Sequence, residues 1–237
     1  MAASIGYSCF ASGEPVRLSA AGIRAVGDEL RRRLFGFAIR PLDVSELARR
    51  TAGLSVNGRR LRIAWDMGNA VHDEVGDPVL GVCEHDPSKS GTVLISLNAD
   101  ILGDQPELLR STAAHELGHA IFDLPAAMDA RTARAIRSRG EVLARKEPID
   151  WKEWRADEFM GSFLSPRRKL ARSLAREAPQ HGAPLRWSEE DGVTVPFIQA
   201  GEAGWQAIEG ITGAIAEELG LTAVFLGVRL RKCGLVR

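Results

Sequence analysis

Residues 104–124 read DQPELLRSTAAHELGHAIFDL, and residues 115–119 at the centre of this stretch form an HExxH pattern. Apolar residues around the pattern recur at helical spacing and predict an α-helix. On a helix, positions i and i+4 lie on one face, so the imidazoles of His115 and His119 can reach a single metal ion. The stretch therefore predicts a metal-binding helix. The alternative is a helix that carries two polar surface histidines.

The predicted helix begins with a capping signal. Asp104 is a good N-cap, Glu107 completes a capping box three residues later, and Pro106 suits the first turn. Gly118 costs roughly 1 kcal/mol relative to alanine inside a helix, which indicates that a neighbouring strand or a substrate approaches the backbone there. The residues that we expect on the core-facing side are Leu109, Ala113, Leu117, Ala120, Ile121 and Leu124.

The residue types of this pattern suit zinc chemistry. Zinc accepts nitrogen ligands at about 2.0–2.1 Å, and two histidines with one carboxylate leave a fourth position open for water. Glu116 follows the first histidine directly, so its side chain is rotated away from the two ligands but remains close to that position. A metal lowers the pKa of water toward about 7, and Glu116 could then accept the proton.

A third ligand is expected from the helix predicted over residues 151–164. Glu153 and Asp157 are spaced i, i+4 in this segment and therefore face the same way. We expect Glu153 to coordinate the metal and Asp157 to accept the second ring N–H of one of the two histidines. The alternative is a solvated acidic helix face, because charged residues surround both positions.

The composition narrows the class of protein. The chain has 237 residues, with 31 basic and 31 acidic side chains, so no net charge attracts it to nucleic acid or anionic lipid. Cys9, Cys83 and Cys233 are far apart and suggest reduced thiols rather than a disulfide framework. The chain shows neither a signal peptide nor an apolar run that approaches 18 residues, so we expect a cytoplasmic protein without a membrane span.

The remaining pattern predicts an α+β fold. We expect a small, mostly antiparallel sheet packed on the HExxH helix, with helical N-terminal and C-terminal elements. A helix is predicted over residues 18–35, with Ser19 as its cap, and residues 126–146 also favour a helix. The predicted strands are residues 60–65, 78–83 and 92–98. The last of these either lies at the edge of a cleft, where it could pair with an extended substrate, or is an interior strand.

The segment 153–166, EWRADEFMGSFLSP, resembles the signature ExEAnxFAxxLLxP of the ImmA/IrrE-type zinc metallopeptidases, and it follows HELGH as in that family. Residues 41–56 and 216–236 look like the early helix and the helix-turn-helix-like tail of the same family. Arg155 departs from the family pattern because it replaces a common glutamate, and Met160 replaces a small alanine. The spacer before Glu153 is also longer than usual, which bears on substrate choice more than on metal binding.

The resemblance implies a set of roles. His115, His119 and Glu153 would be ligands to zinc, or to manganese in its place, and Glu116 would be the catalytic acid/base. Residues 1–178 would form a zincin-like metallopeptidase domain with an N-terminal helix. Residues 179–237 would form a helical, helix-turn-helix-like portion after a loop-rich insert. Asp157 lies where the family often has asparagine and can still bond to a ligand.

The leading hypothesis is a zinc-dependent endopeptidase, and the resemblance implies a regulatory protease of stress response and transcription that cleaves a helix-turn-helix repressor. His181 and Tyr7 could donate to the oxyanion, although each could instead be structural. The alternative function is a DNA-binding or partner-sequestering regulator that uses the metal structurally. Gly220 and Thr222 fit a helix-turn-helix turn, and basic residues follow. We expect packing rather than direct DNA contact there, since the residues after the turn are apolar (Val224, Phe225, Leu226 and Val228).

Overall fold

The structure is a computed structural model of the chain. It describes residues 3–37, 40–73, 75–85, 89, 91–130, 134–138, 150–190 and 192–237. Of residues 129, 130 and 134–138 only the backbone is described.

The described residues form both helices and strands, which are numbered here in chain order. The helices are α1 (Ala20–Phe35), α2 (Val44–Thr51), α3 (Ala99–Leu102), α4 (Pro106–Phe122), α5 (Leu124–Ala130), α6 (Trp151–Leu164), α7 (Arg167–Gln180), α8 (Ala200–Ala203), α9 (Trp205–Leu219) and α10 (Ala223–Lys232). The strands are β1 (Ala3–Ile5), β2 (Gly53–Val56), β3 (Arg59–Asp66), β4 (Gly81–His85), β5 (Thr92–Leu97), β6 (Arg134–Ser138), β7 (Leu185–Glu190) and β8 (Val193–Ile198).

The chain divides into two compact units. The first consists of Met1–Phe37 and Leu42–Leu164, and the second of Ala38–Pro41 and Ser165–Arg237. We expected the boundary after residue 178, whereas it lies in front of Ser165. The reason is that α7 packs on α9 and β8 and so belongs with the C-terminal elements.

The sheet of the first unit has the order β1-β2-β3-β5-β4-β6 and lies against α4. The α+β class is therefore confirmed. Three strand pairs are antiparallel and two are parallel, so the sheet is mixed. β5 lies between β3 and β4, which bond to both of its edges. The hypothesis that this strand edges a cleft and pairs with substrate is wrong, because its backbone groups are already used within the sheet.

The helix expected over residues 126–146 is only partly present. α5 covers its beginning, β6 follows as an edge strand paired antiparallel with β4, and residues 131–133 and 139–146 lie outside the described residues. The strand gains its hydrogen bonds from β4, which is distant in sequence. Tertiary pairing of this kind overrides local helix propensity.

The N-terminal helix is confirmed. Ser19 caps α1 by accepting from the Gly22 N–H at 3.2 Å, and the apolar residues at helical spacing are buried. α1 packs on α6, and α6 in turn packs on α4. These three helices form the layer that carries the HExxH pattern.

The second unit contains a hairpin within residues 178–203, which we expected to be loop or short β structure. β7 and β8 pair antiparallel, and α9 and α10 follow at an angle of 107°. Gly220 joins these two helices with φ +62°, a left-handed conformation that glycine adopts readily. Among the described residues no single helix is long and apolar enough to cross a membrane. α9 and α10 reach that length and composition only when they are taken together.

The exposure of α10 differs from our expectation. Leu226 is buried, but Val224 is 78% exposed and Val228 is 42% exposed. The four apolar residues after the turn therefore do not all pack inward. Because Val224 and Val228 are four residues apart, they share one outward face of the helix.

Candidate metal centre

The helix that carries the HExxH pattern begins at Pro106, and the predicted capping box is wrong. The N-cap position is Gln105, whose side chain makes no capping hydrogen bond. Asp104 instead lies in the short turn after α3. The turn that follows the short helix α3 includes Asp104, so the N-cap position falls on the next residue, Gln105.

Most of the predicted core face of α4 is confirmed. Its members are fully buried except Leu109, which is half-buried. Burial extends around the whole helix from Thr112 to Phe122, both histidines included. When a helix is buried on all sides, burial of a polar side chain is costly unless that side chain has hydrogen-bonding or ionic partners.

The structure brings together three side chains that could hold a metal ion. The Nε2 atoms of His115 and His119 are 3.0 Å apart. Glu153 places Oε2 at 3.2 Å from the first and Oε1 at 3.4 Å from the second. Ligand atoms at about 2.0–2.1 Å from a tetrahedral zinc ion lie about 3.3 Å from each other. The separations of these donor atoms therefore fit one small cation.

A carboxylate behind each histidine orients its ring. His115 Nδ1 lies 3.0 Å from Asp157 Oδ1, and His119 Nδ1 lies 2.9 Å from Asp123 Oδ2. Ionised carboxylates only accept hydrogen bonds, so each Nδ1 donates and each neutral ring has its lone pair on Nε2. These lone pairs and the Glu153 carboxylate then face one another. Such a donor set is stable only around positive charge, supplied by protons or by a metal ion.

The electrostatics of the metal-free site lead to the same conclusion. Burial alone would lower the pKa of His115, but the hydrogen bonds to Asp157 and Glu153 outweigh it and raise the pKa to about 10. The pKa of His119 is also raised, since Asp123 and Glu153 outweigh its burial. Burial raises the pKa of Glu153, yet the two histidines bring it down to about 2. Without a metal, the site holds protons in its place.

A close approach of two helices brings Glu153 to the histidines. A Cβ added at Gly118 would lie 3.0 Å from Ala156 Cα and 3.2 Å from the Phe159 ring. The backbones of α4 and α6 therefore touch one turn away from the ligands. We expected a strand or a substrate at this glycine, and the partner is a helix instead.

Glu116 lies on the face of α4 that packs against the sheet. Its side chain is fully buried, and a Cβ added at Gly81 in β4 would lie 3.0 Å from its Cγ and Oε1. Thr112 Cγ2 would be only 2.9 Å from the same added atom. The absent side chain of Gly81 therefore makes the space that the carboxylate occupies. Burial and the nearby charge of Glu116 raise the pKa of Cys83, which keeps this thiol neutral.

Sequence reasoning missed Asp123 and its partner Arg155. Asp123 is four residues after His119 and bonds to it along the same helix face, and the Arg155 guanidinium donates to its other carboxylate oxygen. An HExxHxxxD spacing was visible in the sequence and could have predicted the first contact. No local sequence pattern indicated the contact between Arg155 and Asp123, because it joins α6 to the end of α4.

Each of the two candidate oxyanion donors has a contact within its own unit. The Tyr7 hydroxyl donates to the Ile121 carbonyl at 2.7 Å, and burial strongly raises its pKa. Tyr7 therefore anchors the N-terminal segment to α4. His181 lies in the second unit, where its ring packs against Gly210. His85, in β4, is buried and its Nδ1 lies 3.0 Å from the Thr92 carbonyl oxygen.

A cavity of about 410 Å³ is lined in part by Asp123, the residue that bonds to His119. Phe122 and Asp123 of α4 line one side, and Trp151, Lys152 and Arg155 of α6 line another. Because Asp123 contacts His119, the cavity lies one side chain away from the metal-ligand group.

Comparisons of the chain with models of protein families, with curated proteins and with solved structures found no match.

Proposed function

We propose that the protein is a metal-dependent endopeptidase with zinc as its ion and manganese as the alternative. The observation that carries this proposal is the convergence of His115, His119 and Glu153, with the buried carboxylate of Glu116 on the same turn of helix. Two histidines and one carboxylate are the ligand set of several zinc peptidases.

The number and exposure of the ligands support a catalytic rather than a structural ion. Structural zinc sites use four protein ligands, whereas catalytic sites keep one position open. Among the described residues the group consists of three members. Glu153 is the ligand through which the site reaches solvent, since its side chain is 38% exposed while that of His119 is fully buried.

In this proposal each residue has a defined task. When bound, the metal ion supplies Lewis acidity, which polarises a carbonyl and lowers the pKa of water. Glu116 accepts the proton of the attacking water and passes it to the leaving amine. Asp157 and Asp123 hold the two imidazoles with Nε2 toward the ion. Burial shields the imidazole nitrogens and the Glu116 carboxylate from bulk water, whereas Glu153 remains accessible to it.

The resemblance of residues 153–166 to the ImmA/IrrE signature supports a narrower proposal. The protein would be a regulatory protease of that type, with a helix-turn-helix transcriptional repressor as its substrate. The interior position of β5 bears on how such a substrate is held: it requires a sheet edge other than β5, or contacts that do not extend the sheet.

Substitution of Glu116 tests the proposal. Glu116→Gln preserves the size of the buried side chain but removes its basicity, so we expect metal content to be retained and cleavage to be lost. New protein N-termini would be mapped by mass spectrometry in cells that express the wild type or this variant. A cut that appears only with the wild type identifies the substrate and the bond. Equal cleavage by the two proteins would refute the role of Glu116.

The exposed face of α10 supports a second candidate function, a regulator that binds a partner and uses the metal structurally. Val224 and Val228 are exposed on this face, together with Arg231. Arg229 is buried beside Ser165, and Arg237 pairs with Glu190, so neither presents its charge as expected for DNA contact. Binding to random duplex DNA that weakens steeply with salt would favour the DNA-binding form of this candidate. Biological activity that survives Glu116→Gln would favour partner sequestration.

A further inference from the structure

The two oxygens of the Asp123 carboxylate have different partners. Oδ2 lies 2.9 Å from His119 Nδ1, and Oδ1 accepts from Arg155 Nη2. The side chain of Asp123 is 2% exposed and that of Arg155 is 16% exposed. Water therefore has little access to replace either partner. We infer that Arg155 is a positioning residue for the metal ligand His119 and acts through Asp123.

The other histidine is oriented differently. Asp157, which bonds to His115, has a side chain that is 54% exposed. Solvent can bond to its second oxygen and stabilise its charge. Asp123 has no such access, and a buried carboxylate needs a cationic partner with fixed geometry. The planar guanidinium of Arg155 supplies this partner and restricts the rotation of the carboxylate.

The position of Arg155 couples this contact to the third ligand. Arg155 is two residues after Glu153 on α6, while Asp123 and His119 both belong to α4 or its end. α6 thus contributes one direct ligand and one outer contact to the same site. A shift of α6 relative to α4 would move Glu153 and Arg155 together. The geometry of the metal site therefore depends on how these two helices pack.

The charges of Arg155 and Asp123 complement each other. In the signature that residues 153–166 resemble, the position of Arg155 commonly carries glutamate. A glutamate here would face the buried Asp123 carboxylate and repel it. Arginine at this position and aspartate four residues after the second histidine therefore complement each other.

This inference rests on the metal binding of the proposed function and is independent of peptide hydrolysis. The test is the zinc dissociation constant of the full chain, measured by competition with a chromogenic chelator, together with the thermal stability of the metal-free protein. Losses of metal affinity from such outer contacts are typically about 10–100-fold. We expect about tenfold weaker zinc binding in Arg155→Gln and a smaller loss in Arg155→Lys, which keeps the charge but lacks the planar fork.

Arg24 provides a matched control. Its Nε lies 2.9 Å from Oε2 of Glu158, a carboxylate that is also 2% exposed but that contacts neither histidine in the described hydrogen bonds. Arg24→Gln should lower stability and leave the zinc dissociation constant unchanged. In an Asp123→Ala background, Arg155→Gln should cause no further loss of affinity, because its route to His119 is already removed.

Each outcome decides the matter. Wild-type affinity in Arg155→Gln, an undiminished loss in the Asp123→Ala background, or an equal loss in Arg24→Gln would overturn the inference while the proposed function stands. If neither Arg155 variant folds, Arg155 is required for folding rather than for positioning His119, and the inference is also overturned. If the wild-type chain binds neither zinc nor manganese, the proposed function falls as well.

Discussion

His115 and His119 face each other through their Nε2 atoms at 3.0 Å, while each Nδ1 lies against a separate aspartate. Neutral imidazoles in this arrangement would direct two lone pairs at one point. The relationship is therefore stable only around a cation. It accounts for both the metal-binding capacity of the site and the raised pKa values of the histidines in the metal-free protein.

The metal-free protein should lose stability as the pH rises. Asp157 and Glu153 outweigh burial and raise the pKa of His115 to about 10, above the unfolded value of about 6.5. A raised histidine pKa contributes stability that is fully present below about pH 6.5 and is lost as the pH rises through 10. Thermal denaturation of chelator-treated protein between pH 6.5 and 10 measures this effect. His115→Gln should flatten the profile, and an equally steep profile in that variant would contradict the assignment.

Zinc binding should release protons for the same reason. At pH 8 the site holds protons that the metal must displace, so the measured affinity should weaken as the pH falls. Calorimetry in buffers of different ionisation enthalpy counts the protons released. Binding without proton release at pH 8 would show that the histidines are already neutral there.

Gly118→Ala should weaken metal binding and stability together. The added methyl would lie 3.0 Å from Ala156 Cα, so α6 must move and carry Glu153 away from the histidines. Overpacking of this kind costs roughly 1–3 kcal/mol. Chemical denaturation and chelator competition measure the two effects. Gly213→Ala in α9 is the control, because its added methyl meets nothing within 4 Å and should be neutral or stabilising.

Gly81→Ala should reduce turnover more than metal affinity. The added Cβ would lie 3.0 Å from Glu116 Oε1, so the carboxylate must shift, whereas the three metal ligands do not touch this position. We expect a loss of kcat with zinc retained, measured on the substrate found by N-terminal mapping. Gly53→Ala in β2 meets nothing within 4 Å and serves as the control. Unchanged kcat in Gly81→Ala would argue against Glu116 as the proton acceptor.

Removal of the two outer carboxylates should have unequal effects. Asp157→Ala leaves a position that water can fill, since this side chain is 54% exposed, but Asp123→Ala leaves His119 without a partner in a buried site. We expect both losses of zinc affinity to fall within about 10–100-fold, with the larger loss for Asp123→Ala. Chelator competition on the two variants ranks them. The opposite order would show that exposure does not govern these contacts.

Local spacing was enough to predict the two helices and the three candidate ligands of the site, but not Asp123 and Arg155. The i, i+4 rule placed His115 with His119 on one helix and Glu153 with Asp157 on another, and these helices are present in the structure. Such predictions succeed because helical geometry repeats within a few residues. The failed capping box shows the limit of a local signal, because Asp104 belongs to the turn after α3 and Gln105 takes the N-cap position.

Only the tertiary structure decided how these segments meet. The interior position of β5, the strand β6 in a helix-prone segment and the contact of Gly118 with Ala156 all join residues that are distant in the chain. The pairing of Arg155 with Asp123 likewise depends on the docking of α6 on α4. The physical reason is that packing and strand pairing reward contacts between distant segments, and no short sequence pattern records which segments those are.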